Sequence, residues 1–258
     1  MASAPAPPPP ASLSREGRRP VTPPRLNFAA QIRAGRKARR LPQLLVGLVG
    51  YGASVMLLVE SGLGPASWNV LTEGTAKTLG ISFGWATNLI SLLVLLAWIP
   101  LREPPGLGTL LNVAVVGFAA DATAAVLPDP HGLPARTGYL ALGLVALAFF
   151  DALYLGAQFG SGPRDGIMTG LVRLTGLPIA AVRTGIEVTV AGIGWLLGGT
   201  AGAGTALIAL TLGPLIACFL PRVTVPLTLR PAVDRGGSDT ASSCRPCPML
   251  HPGRPPVR

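Results

Sequence analysis

Six long apolar runs constrain this chain more than any other feature. They lie at roughly 43–60, 83–101, 107–127, 138–159, 179–198 and 203–221. Each is close to the ~20 residues that a helix needs to cross the hydrocarbon core of a bilayer. A water-soluble fold would have to hide all six, yet charged residues are only 12% of the 258 and hydrophobic ones 49%. That charge content is about half of what soluble domains carry. The same hydrophobicity excludes a disordered chain. The expected fold class is therefore all-α: a polytopic membrane protein with six transmembrane helices.

The ends of the runs carry helix-stopping residues. The first is followed by Ser61, Gly62, Gly64 and Pro65, the third by Pro128 and Pro130, and the fourth by Gly160, Gly162 and Pro163. Trp68, Trp85, Trp98, Tyr139 and Trp195 lie near run ends, where aromatic side chains favour the membrane interface.

The net charge of +10 is unevenly spread. Residues 1–42 hold nine bases and one acid, and residues 222–258 hold six bases and two acids. Both segments are expected to be disordered, basic cytoplasmic tails attracted to anionic lipid. The transmembrane domain is expected to fill 43–221. With the N-terminus inside, eighteen bases face the cytoplasm and two, Lys77 and Arg136, face out. This asymmetry predicts a plasma-membrane protein with both termini cytoplasmic. Nucleic-acid binding is not expected, since no aromatic or motif signal accompanies the charge.

The chain also repeats. At a shift of 96, Gly74 meets Gly170, Gly80 meets Gly176, Gly106-Leu-Gly108-Thr109 meets Gly202-Ala-Gly204-Thr205, and Gly117 meets Gly213. Lys77 falls on Arg173 and Asn69 on Asp165. Gly62-Leu-Gly64-Pro65 matches Gly160-Ser-Gly162-Pro163 at a shift of 98, which predicts two extra residues at Ala66-Ser67. Repeat one, 43–127, and repeat two, 138–221, each hold three spans. An odd number of crossings predicts two inverted three-helix repeats. The short segments 66–79 and 164–176 are too polar to span and read as interfacial or re-entrant. The spaced glycines are expected at close helix contacts.

Several stretches resemble the YczE/YitT-type bacterial integral membrane proteins. They are Gly62–Leu71, Gly80–Gly84, Trp98–Arg102, Pro105–Asn112 and Gly160–Gly166. The resemblance covers about 43–221. That family commonly has Trp-Asp directly after the first Gly-Pro, whereas here Ala66-Ser67 intervene and Asn69 stands in place of the acid. The resemblance implies a bacterial plasma-membrane protein and no particular reaction.

Ionisable groups within spans cost at least ~2.5–3.5 kcal/mol at the bilayer centre and so need a partner, water or a purpose. Asp121, Asp151, Arg183 and Glu187 are such groups. Arg183 and Glu187 are four apart, so they share a helix face and can pair. Arg164, Asp165 and Asn69 sit at the starts of the short segments, where helix N-termini favour anions and Asp or Asn can cap. The candidate substrate-binding residues are therefore Arg164, Asp165, Arg183, Glu187, Asp151 and Asn69. No catalytic, cofactor or metal motif appears, so no enzyme activity, cofactor or metal is expected. Cys244 and Cys247 form a lone C-x-x-C, and Cys218 is expected to pack as a small hydrophobe. The expected function is a small-solute permease or exporter, with an anionic solute as one option. The alternative is a membrane accessory protein that recruits a cytoplasmic partner or lipid through its tails.

Overall fold

The computed structural model describes residues 37–101, 105–160 and 162–225, all within one packing unit. The described secondary structure is helical: α1 (Lys37–Glu60), α2 (Ser67–Leu79), α3 (Phe83–Leu96), α4 (Trp98–Leu101), α5 (Leu107–Ala124), α6 (Gly132–Gly156), α7 (Pro163–Thr175), α8 (Ile179–Leu196) and α9 (Ala203–Val223). Six segments are long and apolar enough to cross a membrane: Ala38–Glu60, Phe83–Leu101, Leu107–Ala124, Gly132–Gly156, Ile179–Leu196 and Ala203–Val223. Helices suit this setting because they satisfy their own backbone groups where no water can.

Helix boundaries repeat at a constant offset. Starts at 67, 83 and 107 recur at 163, 179 and 203, and ends at 60 and 79 recur at 156 and 175, each 96 later. The expected two-residue insertion at Ala66-Ser67 is therefore absent from the geometry. The backbone pairs Gly64 (φ 105°) with Gly160 (φ 111°), also 96 apart, although the Gly-x-Gly-Pro letters align two residues further on. Backbone conformation, not the position of the proline, sets the register of the turn.

These turns hold the two halves together. The Gly204 N–H donates to the Leu63 carbonyl at 2.9 Å, and the Gly108 N–H donates to the Phe159 carbonyl at 2.9 Å. Each bond joins the start of a third span to the turn after the first span of the other half. A Cβ on Gly64 would lie 2.5 Å from the Gly202 nitrogen, so only glycine fits that left-handed position. Basic residues follow the same pattern. Lys77 donates to the Gly198 carbonyl at 3.0 Å, and its counterpart Arg173 donates to the Leu101 carbonyl. Arg40 donates to the Ala157 and Gln158 carbonyls, each at 2.9 Å, while its counterpart Arg136 lies against Gly62.

The centre of the bundle is α1, packed on α5 and α6, with α9 packed on α6. Close approach comes from glycine: a Cβ on Gly47 would meet Tyr154 at 2.8 Å, and one on Gly52 would meet Ala119 at 2.8 Å. Three apolar clusters fill the interior, two of them along α1. One gathers Leu44, Leu48, Val116, Tyr154, Ala157 and Phe159, the other Val55, Leu58, Leu140, Leu144, Leu147 and Ile208.

Several sequence expectations need correction. Helix α1 starts at Lys37, inside the stretch assigned to a disordered tail, and Arg40 is 0% exposed. Its guanidinium satisfies carbonyls at the end of α6 and lies 4.2 Å from the centre of the Phe159 ring, which makes up for its burial. Helix α6 begins at Gly132 rather than 138, because Pro134 lies in the first turn, where proline is tolerated. Trp98, expected at the interface, is 4% exposed and donates from Nε1 to the Pro163 carbonyl at 2.8 Å. Trp68 is likewise buried. Cys218 is exposed rather than packed, since α9 turns most of its surface outward. Gly213, expected at a close contact, has no atom within 4 Å of a built Cβ. Cys244, Cys247 and most of both tails lie outside the described residues.

Candidate functional site

A cavity of about 70 Å³ lies among α1, α3, α5, α6 and α7. Its lining includes Tyr51, Thr87, Ser91, Asn112, Asp151, Tyr154, Arg164 and Asp165. That volume has room for a few waters or one small polar group. Residues 51 and 112 come from the first half of the chain and 151–165 from the second, so the cavity is shared between halves.

Helix α7 supplies its charged end. Gly162 caps α7, Pro163 occupies the first turn, and Asp165 carries an acid there, as helix starts favour. The nearby Gly162 backbone N–H favours the charged form of the Asp165 carboxyl. Burial pushes its carboxyl above the ordinary range, and the Arg164 and Arg183 charges oppose that rise. Arg164 lies 3.5 Å from the Tyr51 hydroxyl and 5.2 Å from the centre of the Trp68 ring. Trp68 and Arg164 are themselves 96 apart, each the second residue of a short helix. The starts of α2 and α7 therefore meet beside the cavity.

The remaining predicted residues divide. Asp151 lines the cavity. Asn69, counterpart of Asp165, is 2% exposed, with no hydrogen-bond partner for its Nδ2. It neither caps α2 nor lines the cavity. Among the described residues no ion pair joins Arg183 to Glu187. Arg183 is exposed and Glu187 half-buried on α8, which packs on α2 and α7 but not on α1, α6 or α9. The Arg183 charge still bears on the Asp165 carboxyl at the start of α7. Asp121 has a structural task. It accepts from the Ser82 hydroxyl at 2.6 Å and the Gly84 N–H at 2.7 Å, tying α5 to the start of α3.

Sequence reasoning missed Tyr51, Thr87, Ser91, Asn112 and Tyr154. The repeat offset could have found three of them, and it picks out Asp151 as well. Tyr51, Asn112, Asp151 and Tyr154 correspond to Leu147, Ile208, Val55 and Leu58 in the opposite half. All four of those counterparts belong to a single apolar cluster. The scaffold therefore closes at these positions with aliphatic side chains alone. Polar groups are not required there by the fold.

Residues 38–221 match the model of a family of unknown function, DUF6198. The chain belongs to this family. It is similar to an uncharacterized protein of Haemophilus influenzae, 38% identical over 197 residues that cover 76% of this chain and 90% of the relative. It is also similar to the uncharacterized membrane protein YczE of Bacillus subtilis, 30% identical over 178 residues, 68% of this chain and 83% of that one. The uncharacterized protein YyaS of Bacillus subtilis is 26% identical over 182 residues, 69% of this chain and 90% of the relative. No solved structure matches the chain. The match begins at residue 38, beside the start of α1, and ends at 221, so the family region coincides with the helical bundle. With a membrane protein among the relatives and six apolar spans, this member of DUF6198 is a multi-pass membrane protein.

Proposed function

We propose that the chain is a small-solute permease or exporter of the plasma membrane, and not an enzyme. Its site is the cavity between the halves. The observation that carries this reading is the one-sided polarity of the matched positions. Tyr51, Asn112, Asp151 and Tyr154 line the cavity where the opposite half places Leu147, Ile208, Val55 and Leu58. Buried polar groups that the scaffold does not need are costly in a membrane interior and mark a pathway or binding site.

Three spans in each half set the halves in opposite orientations, so the repeat is inverted; six spans leave both termini on one side, and the Lys/Arg excess on that side makes it the cytoplasmic one. The meeting of α2 and α7 at Trp68 and Arg164 fits this reading, since counterpart residues touch only near the axis that relates two halves. Inverted repeats with broken or short helices at their interface suit alternating access. The cavity volume suits a solute far smaller than a drug-sized ligand. Two carboxylates beside one guanidinium favour a cationic or zwitterionic solute over a plain anion. Anionic lipid at the basic tails remains part of the proposal.

Purified chain in lipid vesicles should take up at least one solute from a panel of small cations, zwitterions and anions. Asp151→Asn and Arg164→Ala, at equal protein content, should each cut that uptake at least tenfold. Uptake no greater than in protein-free vesicles across the panel would reject the reading. It would favour the accessory-protein alternative if deleting the tails also abolishes the cellular phenotype while these two variants leave it unchanged.

A further inference from the structure

The two halves share their boundaries but differ in one seam. In the first half α3 packs on α5, and a Cβ on Gly117 would collide with Asn88. At the counterpart seam α8 and α9 are not packed together, and Gly213, counterpart of Gly117, has open space around it. Gly185 and Gly192 on α8 are also without neighbours within 4 Å. Helix α8 carries Arg183 and Glu187, counterparts of the cavity-lining Thr87 and Ser91. Glu187 is the ninth of eighteen residues in its span, near mid-depth, and has no ion-pair partner among the described residues. Facing lipid there would carry the full cost of an ionisable group in hydrocarbon. Water in the open seam removes that cost.

We infer that the seam between α8 and α9 is a water-filled crevice leading to the cavity. Helix α8 is its movable wall, and Arg183 and Glu187 are the first charges a solute meets. Closing α8 onto α9, as α3 already closes onto α5, shuts the crevice. The inference rests on the permease reading, but its test reads accessibility and helix distance, so either can fail without the other.

The test uses the full chain in lipid vesicles, with Cys218, Cys244 and Cys247 replaced by serine. Thr184 is exposed and Gly213 has free space, so Thr184→Cys and Gly213→Cys fit this structure. Both single variants should react with a charged, membrane-impermeant maleimide at least tenfold faster than Leu93→Cys. Leu93 is exposed partway along the span of α3 and serves as the lipid-facing control. Thr184 and Gly213 are the counterparts of Asn88 and Gly117, so the double variant should form a disulfide on mild oxidation. Labelling no faster than that of Leu93→Cys would show a lipid-filled seam and overturn the inference. Fast labelling without any disulfide would overturn it as well, since α8 would then be a fixed wall.

Discussion

Arg40 shows how much a single side chain can hold in this fold. Its guanidinium donates to two carbonyls at the end of α6, 117 and 118 residues away, and stacks over Phe159. Removing it leaves buried carbonyls unpaired. Arg40→Ala should therefore cost about 3 kcal/mol, on the scale of hydrogen bonds to a charged group, and lower the melting temperature in detergent. Arg40→Lys should recover only part of the loss, because an ammonium lacks the planar fork. Gly64 makes a second test. With φ at 105° and the Gly202 nitrogen 2.5 Å from a built Cβ, Gly64→Ala should abolish accumulation of folded protein in the membrane. Gly138, inside α6 with nothing within 4 Å, is the control. Gly138→Ala should be neutral or stabilising by up to about 1 kcal/mol. Neither role was readable from the sequence alone. Arg40 sits in a run of bases that reads as a solvated tail, and its partners are remote in the chain. The Gly64 partner is likewise remote, and the lettered motif points to the wrong counterpart.

At the scale of elements, the spans were legible because hydropathy over ~20 residues reports burial in lipid directly. The ends of the helices were less so. Gly132, Pro134, Arg136 and Thr137 interrupt the apolar pattern where α6 begins, and Trp98 reads as interfacial until Pro163 is brought beside it. The short helices were visible as polar interruptions, but their meeting depends on tertiary packing. Helix α7 carries a prediction of its own through Asp165. Burial raises the carboxyl above its unfolded value, so the folded state favours the protonated form. The contribution to stability is full below the ordinary carboxylate range and declines as pH rises from that range toward the raised value. Asp165→Asn removes the titration. The variant should melt higher relative to the parent at about pH 8 than at about pH 4, read by thermal unfolding in detergent. An unchanged difference between the two pH values would remove Asp165 from the titrating groups of the site.

At the scale of the molecule, each half is completed by the other. The turn after the first span of one half receives the N–H at the start of the third span of its counterpart, at 2.9 Å in both cases. Lys77 and Arg173 reach carbonyls at the end of the opposite second span. Within a half, few of these groups would find partners, and α1 would lose α6, against which Gly47 and Gly50 allow close approach. An isolated half therefore exposes unsatisfied backbone groups and a glycine-lined face. In hydrocarbon such groups cost several kcal/mol each. The connection between halves is short and lies outside the helices, at residues 125–131. Cutting the chain there should preserve every contact named above. Co-expressed 1–129 and 130–258 should assemble in the membrane and co-purify through a tag on either piece. Each piece expressed alone should fall at least tenfold in abundance. Gly204→Val in the second piece should abolish co-purification, because a Cβ on Gly204 would lie 2.5 Å from the Gly64 carbonyl oxygen in the first. A half that accumulates alone at the level of the pair would show that the exchange of turns is not what stabilises the bundle.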